Sequence, residues 1–266
     1  MTYDPQQIAG VFGRAAATYD TVIPFFAEFG ARLVDFADLR PGESVLDVGC
    51  GRGATLFPAA ERVGPGGRVL GVDLAEEMVA MLRADIDERR LANAEVCGMD
   101  AQTLEVEPGS FDVVLASFVL HLLPEPHRGA ASIAGALRQG GRCVAAVPTF
   151  AGPQWDFMGR IFGKYAKRVG HPIRVPFRPD FDLPATLTAT GLRVTTTRTE
   201  QVEFVFPDEQ TWWEWGWTHG SRGVFEVLEP ADLESLRQEL SAAMAPLRTP
   251  AGIPMAQAAV FVVAEK

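Results

Sequence analysis

Apolar residues in this chain alternate between short unbroken runs and stretches where they recur every three or four positions. Val45–Val48, Arg68–Asp73, a run ending at Asp100, Phe111–Ser117 and Arg142–Val147 read as strands of a parallel sheet covered on both faces. Between them, Met78, Val79, Leu82 and Ile86 mark one face of a helix over Ala75–Arg90, with Asp85, Asp87, Glu88 and Arg89 on its solvated side. Residues 127–139 predict another helix, stopped by Gly140-Gly141 in the usual C-terminal position. Ahead of the first strand, Phe25, Phe26, Phe29, Leu33 and Phe36 keep helical spacing within two helices over residues 5–39, and Pro41-Gly42 ends them. Leu192–Phe206 and Ala256–Ala264 supply two late strands, the antiparallel end of a seven-stranded sheet. The pattern is that of an α/β chain.

One run carries more than packing information. Val45-Leu46-Asp47-Val48 breaks into Gly49-Cys50-Gly51-Arg52-Gly53, with glycine at alternate positions. Lacking Cβ atoms, such a turn accepts positive φ and lets a ligand approach the backbone. It follows a strand, where open α/β sheets bind nucleotide-like ligands. Gly49-x-Gly51-x-x-Ala54 also satisfies the dinucleotide fingerprint, which alone discriminates poorly. Asp47 discriminates better, since a carboxylate there favours a ligand with an ammonium group over a pyrophosphate. At about 4 Å and an effective dielectric of about 20 the difference is roughly 4 kcal/mol. Asp73 ends the next strand, placed to take ribose hydroxyls, and Asp100 ends the one after, placed for an exocyclic amine. Each acid singly reads as a cap or turn residue. Three at successive strand ends read as a binding site.

These residues resemble the class I S-adenosylmethionine-dependent methyltransferases, closely over about residues 8–150. VLDVGCGRG is similar to the first motif of that family, VLGVDLAEEM to the second, GMDAQTL to the third and FDVVLASFVLHLL to the fourth. The resemblance implies a Rossmann-like seven-stranded, mostly parallel sheet with helices on both faces, an N-terminal helical cap and inserted lid segments. It implies S-adenosyl-L-methionine as cofactor. Gly49, Cys50 and Gly51 would then pass under its methionine and ribose, Asp47 would lie near its amino group and Asp73 would hold its ribose diol. Leu74 and Met78 would flank the adenine, Asp100 and Ala101 would meet its edge, and Ser117 would sit near the sulfonium. Phe12 to Asp20 resembles the F-x(n)-YD segment of the ubiquinone- and menaquinone-type enzymes, in which Tyr19 would close over the cofactor.

Composition narrows the class. With 266 residues, nearly half of them apolar, the chain suits one α/β domain with accessory helices. The expected organisation is a helical cap over 1–40, the cofactor core over 41–150, an inserted basic lid over 151–180, and the rest of the core over 181–266 with an aromatic helical insert at 207–247. A net charge of −10 argues against a nucleic-acid partner. Val113–Leu123, interrupted by His121, is too short to span a membrane, and the start of the chain lacks a signal-peptide pattern. Cys50, Cys97 and Cys143 have no metal spacing and read as reduced, which with the preceding points implies a cytoplasmic enzyme without a metal. A homodimer is compatible with all of this.

The inserts are expected to choose the acceptor. Arg160, Lys164, Lys167, Arg168, Arg174 and Arg178, with His171, fall in a stretch that holds no acid. They read either as a solvated helix face or as a patch for an anionic group. Four of the five tryptophans lie at Trp212, Trp213, Trp215 and Trp217, either a packed lid or an acceptor wall whose rings favour a cationic centre. Together the patch (Arg160, Lys164, Arg174, Arg178) and wall (Trp213, Trp217) would suit a small anionic and apolar metabolite, for example a prenyl diphosphate methylated at carbon. A base is needed only if the nucleophile carries a proton; His121, Glu214, His219 and Tyr165 are the candidates. Two other readings remain open, a non-methylating cyclase or regulator that binds the same cofactor and an NAD(P)-dependent oxidoreductase, the latter disfavoured by Asp47.

Overall fold

A computed structural model describes residues 4–149, 152–169 and 181–266. Two helices lead, α1 (Pro5–Ala15) and α2 (Phe25–Ala37). The alternation follows as β1 (Ser44–Val48), α3 (Leu56–Val63), β2 (Arg68–Asp73), α4 (Glu76–Arg89), β3 (Ala94–Gly98) and β4 (Phe111–Ser117). Then come α5 (Pro126–Ala136), β5 (Leu137–Thr149), α6 (Phe157–Ala166), α7 (Leu183–Thr188) and β6 (Arg193–Phe206). Three helices, α8 (Glu209–Gly216), α9 (Arg222–Phe225) and α10 (Pro230–Met244), precede the last strand, β7 (Ile253–Glu265).

The strands form one seven-stranded sheet in the order β3-β2-β1-β4-β5-β7-β6. All pairings are parallel as far as β5, and β7 runs antiparallel between β5 and β6. Strand order reverses beside β1, whose neighbours β2 and β4 leave in opposite directions. A cleft opens at such a switch point, at the carboxyl ends of the strands. Alternation along β1 sends Val45 into one apolar layer, with α2, α3 and α4, and Leu46 and Val48 into the other, with α5 and α7.

The expected helix over 127–139 is corrected at its end. It stops at Ala136, and Leu137 already pairs with Phe111 in the sheet. Gly140 and Gly141 therefore belong to β5, where pairing slips between Phe111 and Val113 and Gly140 takes φ +73°. Glycine here serves a bulge, not a helix cap.

The aromatic insert packs as core. Trp212, Trp213 and Trp215 are buried; Trp213 stacks on Phe225 with centroids 4.4 Å apart, and Trp217 packs on the same ring at 5.1 Å. The basic stretch meets acids from α10: Lys164 pairs with Glu239 and Arg168 with Asp232. The Tyr165 hydroxyl donates to Glu239 Oε1 at 2.9 Å. Lys164 thus belongs to a helix–helix contact, not a free anion patch. Arg174 and Arg178, like His171, lie outside the described residues.

Arg142 on β5 closes the C-terminal end of α2. Its guanidinium donates to the carbonyls of Ala37 and Asp38 at 2.9 Å each and to Glu43 Oε1 at 2.8 Å. Burial pushes the Glu43 carboxyl up, but the Arg142 bonds, the Arg40 amide and the Arg142 charge together hold it below its ordinary value. Replacing Arg142 with Met strips the last carbonyls of α2 of their donor. Charged hydrogen bonds of this kind contribute about 1.5–3 kcal/mol. Arg142→Met is expected to lower the thermal midpoint by several degrees at neutral pH, read by circular dichroism; an unchanged midpoint would show the clamp to be idle.

Candidate functional site

The cleft at the switch point takes in about 750 Å³ of space, open solvent included. Its floor is the glycine turn. Gly49 and Gly51 adopt φ +67° and +50° and both line the cleft. A Cβ on Gly49 would stand 2.6 Å from Val119 Cγ2, so only glycine fits between the turn and the wall after β4. The turn hangs on β2: the Gly49 and Cys50 amides donate to the Val72 carbonyl at 2.8 and 3.0 Å.

Asp73 ends β2 in the cleft. Its Oδ2 accepts the Gly51 N–H at 2.8 Å and its Oδ1 the Ala75 N–H at 2.9 Å. Burial raises this carboxyl above its ordinary value, against those backbone bonds. Leu74 and Met78 follow on the same side. Asp100 and Ala101 end the β3 wall, and Gln102 steadies the acid by donating its own N–H to Asp100 Oδ1 at 2.8 Å. Ser117 closes β4, and Phe118 after it takes φ +55°, which is costly for a bulky residue and turns the chain along the cleft wall. Tyr19 and Phe12 roof the site together with Ile8 and Ala9 of α1. Burial, then the charges of Asp20 and Asp73, push the Tyr19 hydroxyl well above its ordinary value.

Ten of the eleven expected cofactor residues have a plain place in this geometry: nine line the cleft, and the Cys50 amide belongs to its floor. The Cys50 side chain turns away, its sulfur 2.9 Å from where a Cβ on Gly71 would stand. Burial and the nearby Asp73 and Asp47 charges keep it a thiol. Asp47 departs from expectation. It is wholly buried behind the turn and does not line the cleft. Thr55 Oγ1 donates to its Oδ2 at 2.6 Å, while Oδ1 has no hydrogen-bond partner. Asp47 therefore reaches a ligand through its field and not by contact.

The four candidate bases lie elsewhere. Tyr165 is committed to Glu239. Glu214 is exposed and accepts from Gln210 Nε2 at 2.9 Å. His219 donates from Nδ1 to the Trp215 carbonyl at 2.8 Å, and burial lowers it to about 4, so it is neutral and engaged. His121 sits in the short turn after β4 with its ring 6.4 Å from Phe181, outside the cleft lining. Arg160, Trp213 and Trp217 do not line the cleft either. The helical cap expected over 1–40 supplies the roof, though Ile8, Ala9 and Phe12 were not singled out as its lining. Sequence reasoning missed Gln102 as a support and Phe118 with Val119 as wall.

An orphaned carboxylate oxygen in the interior favours the protonated acid, and Asp47 is pushed up to about 7 by burial, against the Thr55 hydroxyl bond and with the Asp73 charge adding. In the unfolded chain the same group titrates near 3.9. From about pH 4 to 7 the unfolded chain has lost this proton while the folded chain keeps it, so stability falls as pH rises across that window. Asp47→Asn should melt above the wild type at pH 8 without ligand, the gap closing toward pH 5. A gap that widens toward acid would mean that Asp47 is ionised and satisfied. The same orphaned oxygen, behind a turn of bare backbone, is the setting a positively charged nucleoside fits.

A methyltransferase-domain family model matches residues 45–141, the segment from β1 into β5. The nocamycin O-methyltransferase of Saccharothrix syringae is 37% identical over 86% of this chain and 88% of its own length. The aklanonic acid methyltransferase DauC of a Streptomyces species (strain C5) is 40% identical over 58% of this chain and 70% of its own. Among solved structures, the cyclase SpnF superposes with a TM-score of 0.56 at 18% identity, covering 90% of this chain and 80% of its own, a likeness of fold alone. The sequence likeness supports methyl transfer. The chain belongs to the class I S-adenosylmethionine-dependent methyltransferases.

Proposed function

We propose that this enzyme methylates a carboxylate oxygen of a small, largely apolar acid from specialised metabolism. The carrying observation is the lack of a base: among the described residues lining the cleft, no histidine is present, and both carboxylates are engaged by backbone amides. An acceptor already ionised at neutral pH has no proton to lose. Two relatives point the same way, one an O-methyltransferase and one a methyltransferase of an acid. Of the four basic residues expected to hold a prenyl diphosphate, Lys164 is paired with Glu239 of α10, and Arg174 and Arg178 lie outside the described residues.

In this reading Asp73 accepts the ribose hydroxyls, Asp100 and Ala101 meet the adenine edge, and Leu74 and Met78 flank the ring. Gly49, Cys50 and Gly51 present backbone to the methionine end, Tyr19 covers it, and Ser117 faces the acceptor side. Bound S-adenosylmethionine supplies an electrophilic methyl group on sulfur. The chain's own contribution is alignment and exclusion of water, and positioning of this kind supplies about 7–11 kcal/mol of a barrier. We place the enzyme in the cytoplasm with no nucleic-acid partner; among the described residues, no helix is long and apolar enough to cross a membrane.

Methyl-labelled cofactor with a panel of aromatic and polyketide-like acids, phenols and prenyl diphosphates tests the acceptor. Label should enter an acid and be released by mild alkali, as from a methyl ester, with a rate nearly flat from about pH 6 to 9. Alkali-stable label in a phenol or prenyl product would overturn the proposal. Asp73→Ala should weaken cofactor binding by at least about tenfold, the equivalent of 1.4 kcal/mol, read by calorimetry.

A further inference from the structure

The residue after Tyr19 has an unusual assignment. Asp20 adopts φ +61°, a left-handed conformation that aspartate tolerates better than most side chains. From there its Oδ1 accepts the Phe26 N–H and its Oδ2 the Ala27 N–H, each at 2.8 Å. These amides belong to the first turn of α2, which an intrahelical ladder cannot satisfy. Pro24 holds the N-cap position and makes no side-chain cap. Asp20 supplies the missing acceptor from several residues upstream, where the helix dipole also favours its charge.

The same two residues are joined a second time. The Tyr19 ring stacks on the Phe26 ring with centroids 4.3 Å apart and planes 17° apart. Asp20 grips the backbone of Phe26 while Tyr19 lies on its side chain. Away from Phe26, Tyr19 reaches toward the glycine turn, where its Cε1 is 3.9 Å from the position of a Cβ on Gly51. Arg52, in that turn, holds the preceding loop by donating from Nη1 to the Ala16 carbonyl at 2.7 Å. The roof is therefore pinned at both edges, and its α2 edge depends on one carboxylate.

We propose that Asp20 is a positioning residue for cofactor binding, which acts by fixing Tyr19 between Phe26 and the glycine turn. A plain helix cap would matter to stability only. A positioning residue must matter to affinity, and only while Tyr19 is present. The inference rests on the reading that Tyr19 covers the cofactor.

A double-mutant cycle on the full chain separates these roles, with S-adenosylhomocysteine as the calorimetric probe. Asp20→Ala should raise the dissociation constant about tenfold, and Tyr19→Ala at least as much. The double variant should bind within about twofold of Tyr19→Ala, since nothing is left for Asp20 to position. Asp20→Asn keeps an acceptor oxygen for one of the two amides, preserves folding, and should fall between wild type and Asp20→Ala. In turnover, the cofactor KM should rise with kcat nearly unchanged at saturation. Asp20 variants that bind like wild type, or effects that simply add in the double variant, would overturn this proposal alone. A wild-type chain that fails to bind the probe would overturn the covering role of Tyr19 as well.

Discussion

The structure turns on how β1 ends. Its chain must leave the sheet and enter α3 without covering the switch point, and it does so through Gly49 and Gly51 at positive φ. The turn is suspended from the neighbouring strand by two bonds to the Val72 carbonyl and one from Gly51 to Asp73. Val119 comes close enough to Gly49 to forbid a side chain, and Tyr19 lies over Gly51. Floor, wall and roof are therefore referred to one stretch of bare backbone. Behind it lies the buried Asp47, whose orphaned oxygen and raised pKa leave its charge dependent on pH and on what occupies the cleft.

Away from the floor, α2 is the second organising element. Asp20 satisfies its first amides and Arg142 its last carbonyls, so both ends of one helix are closed by side chains from outside it. Between the ends, Phe25 and Phe29 pack on Phe118 with centroids 5.6 and 5.4 Å apart. The strained residue after β4 is thus held by the same helix that carries the roof. Strain at Phe118 persists because its surroundings leave it no other place.

How much was readable from the chain follows from the range of each interaction. Asp73, Asp100 and the glycines act at strand ends beside their own motifs, so spacing alone located them. The parallel strands were legible because burial on both faces leaves unbroken apolar runs. Gly140-Gly141 misled because glycine pairs serve both helix caps and bulges, and only the register of β5 against β4 separates them. The basic stretch looked unpartnered because its acids are distant along the chain; Lys164 and Glu239 lie 75 residues apart, Arg168 and Asp232 64. Glu214 sits on the outer face of a helix whose tryptophans point inward, a sidedness that a short aromatic run does not encode. Asp20 stands in the recognised segment, but its capping role was not legible because it caps from beyond the usual position, with a proline standing where the cap belongs.

Trp155 comes from the turn before α6, and Trp212 and Trp215 from α8, yet the three indoles form one row with successive centroids 6.3 Å apart. Two segments far apart in the chain therefore share a single dry seam. Any parting of them wets indole faces that are otherwise screened from water. The chain carries its own optical gauge of how tightly the inserts are seated, because tryptophan emission moves to the red when the ring meets solvent.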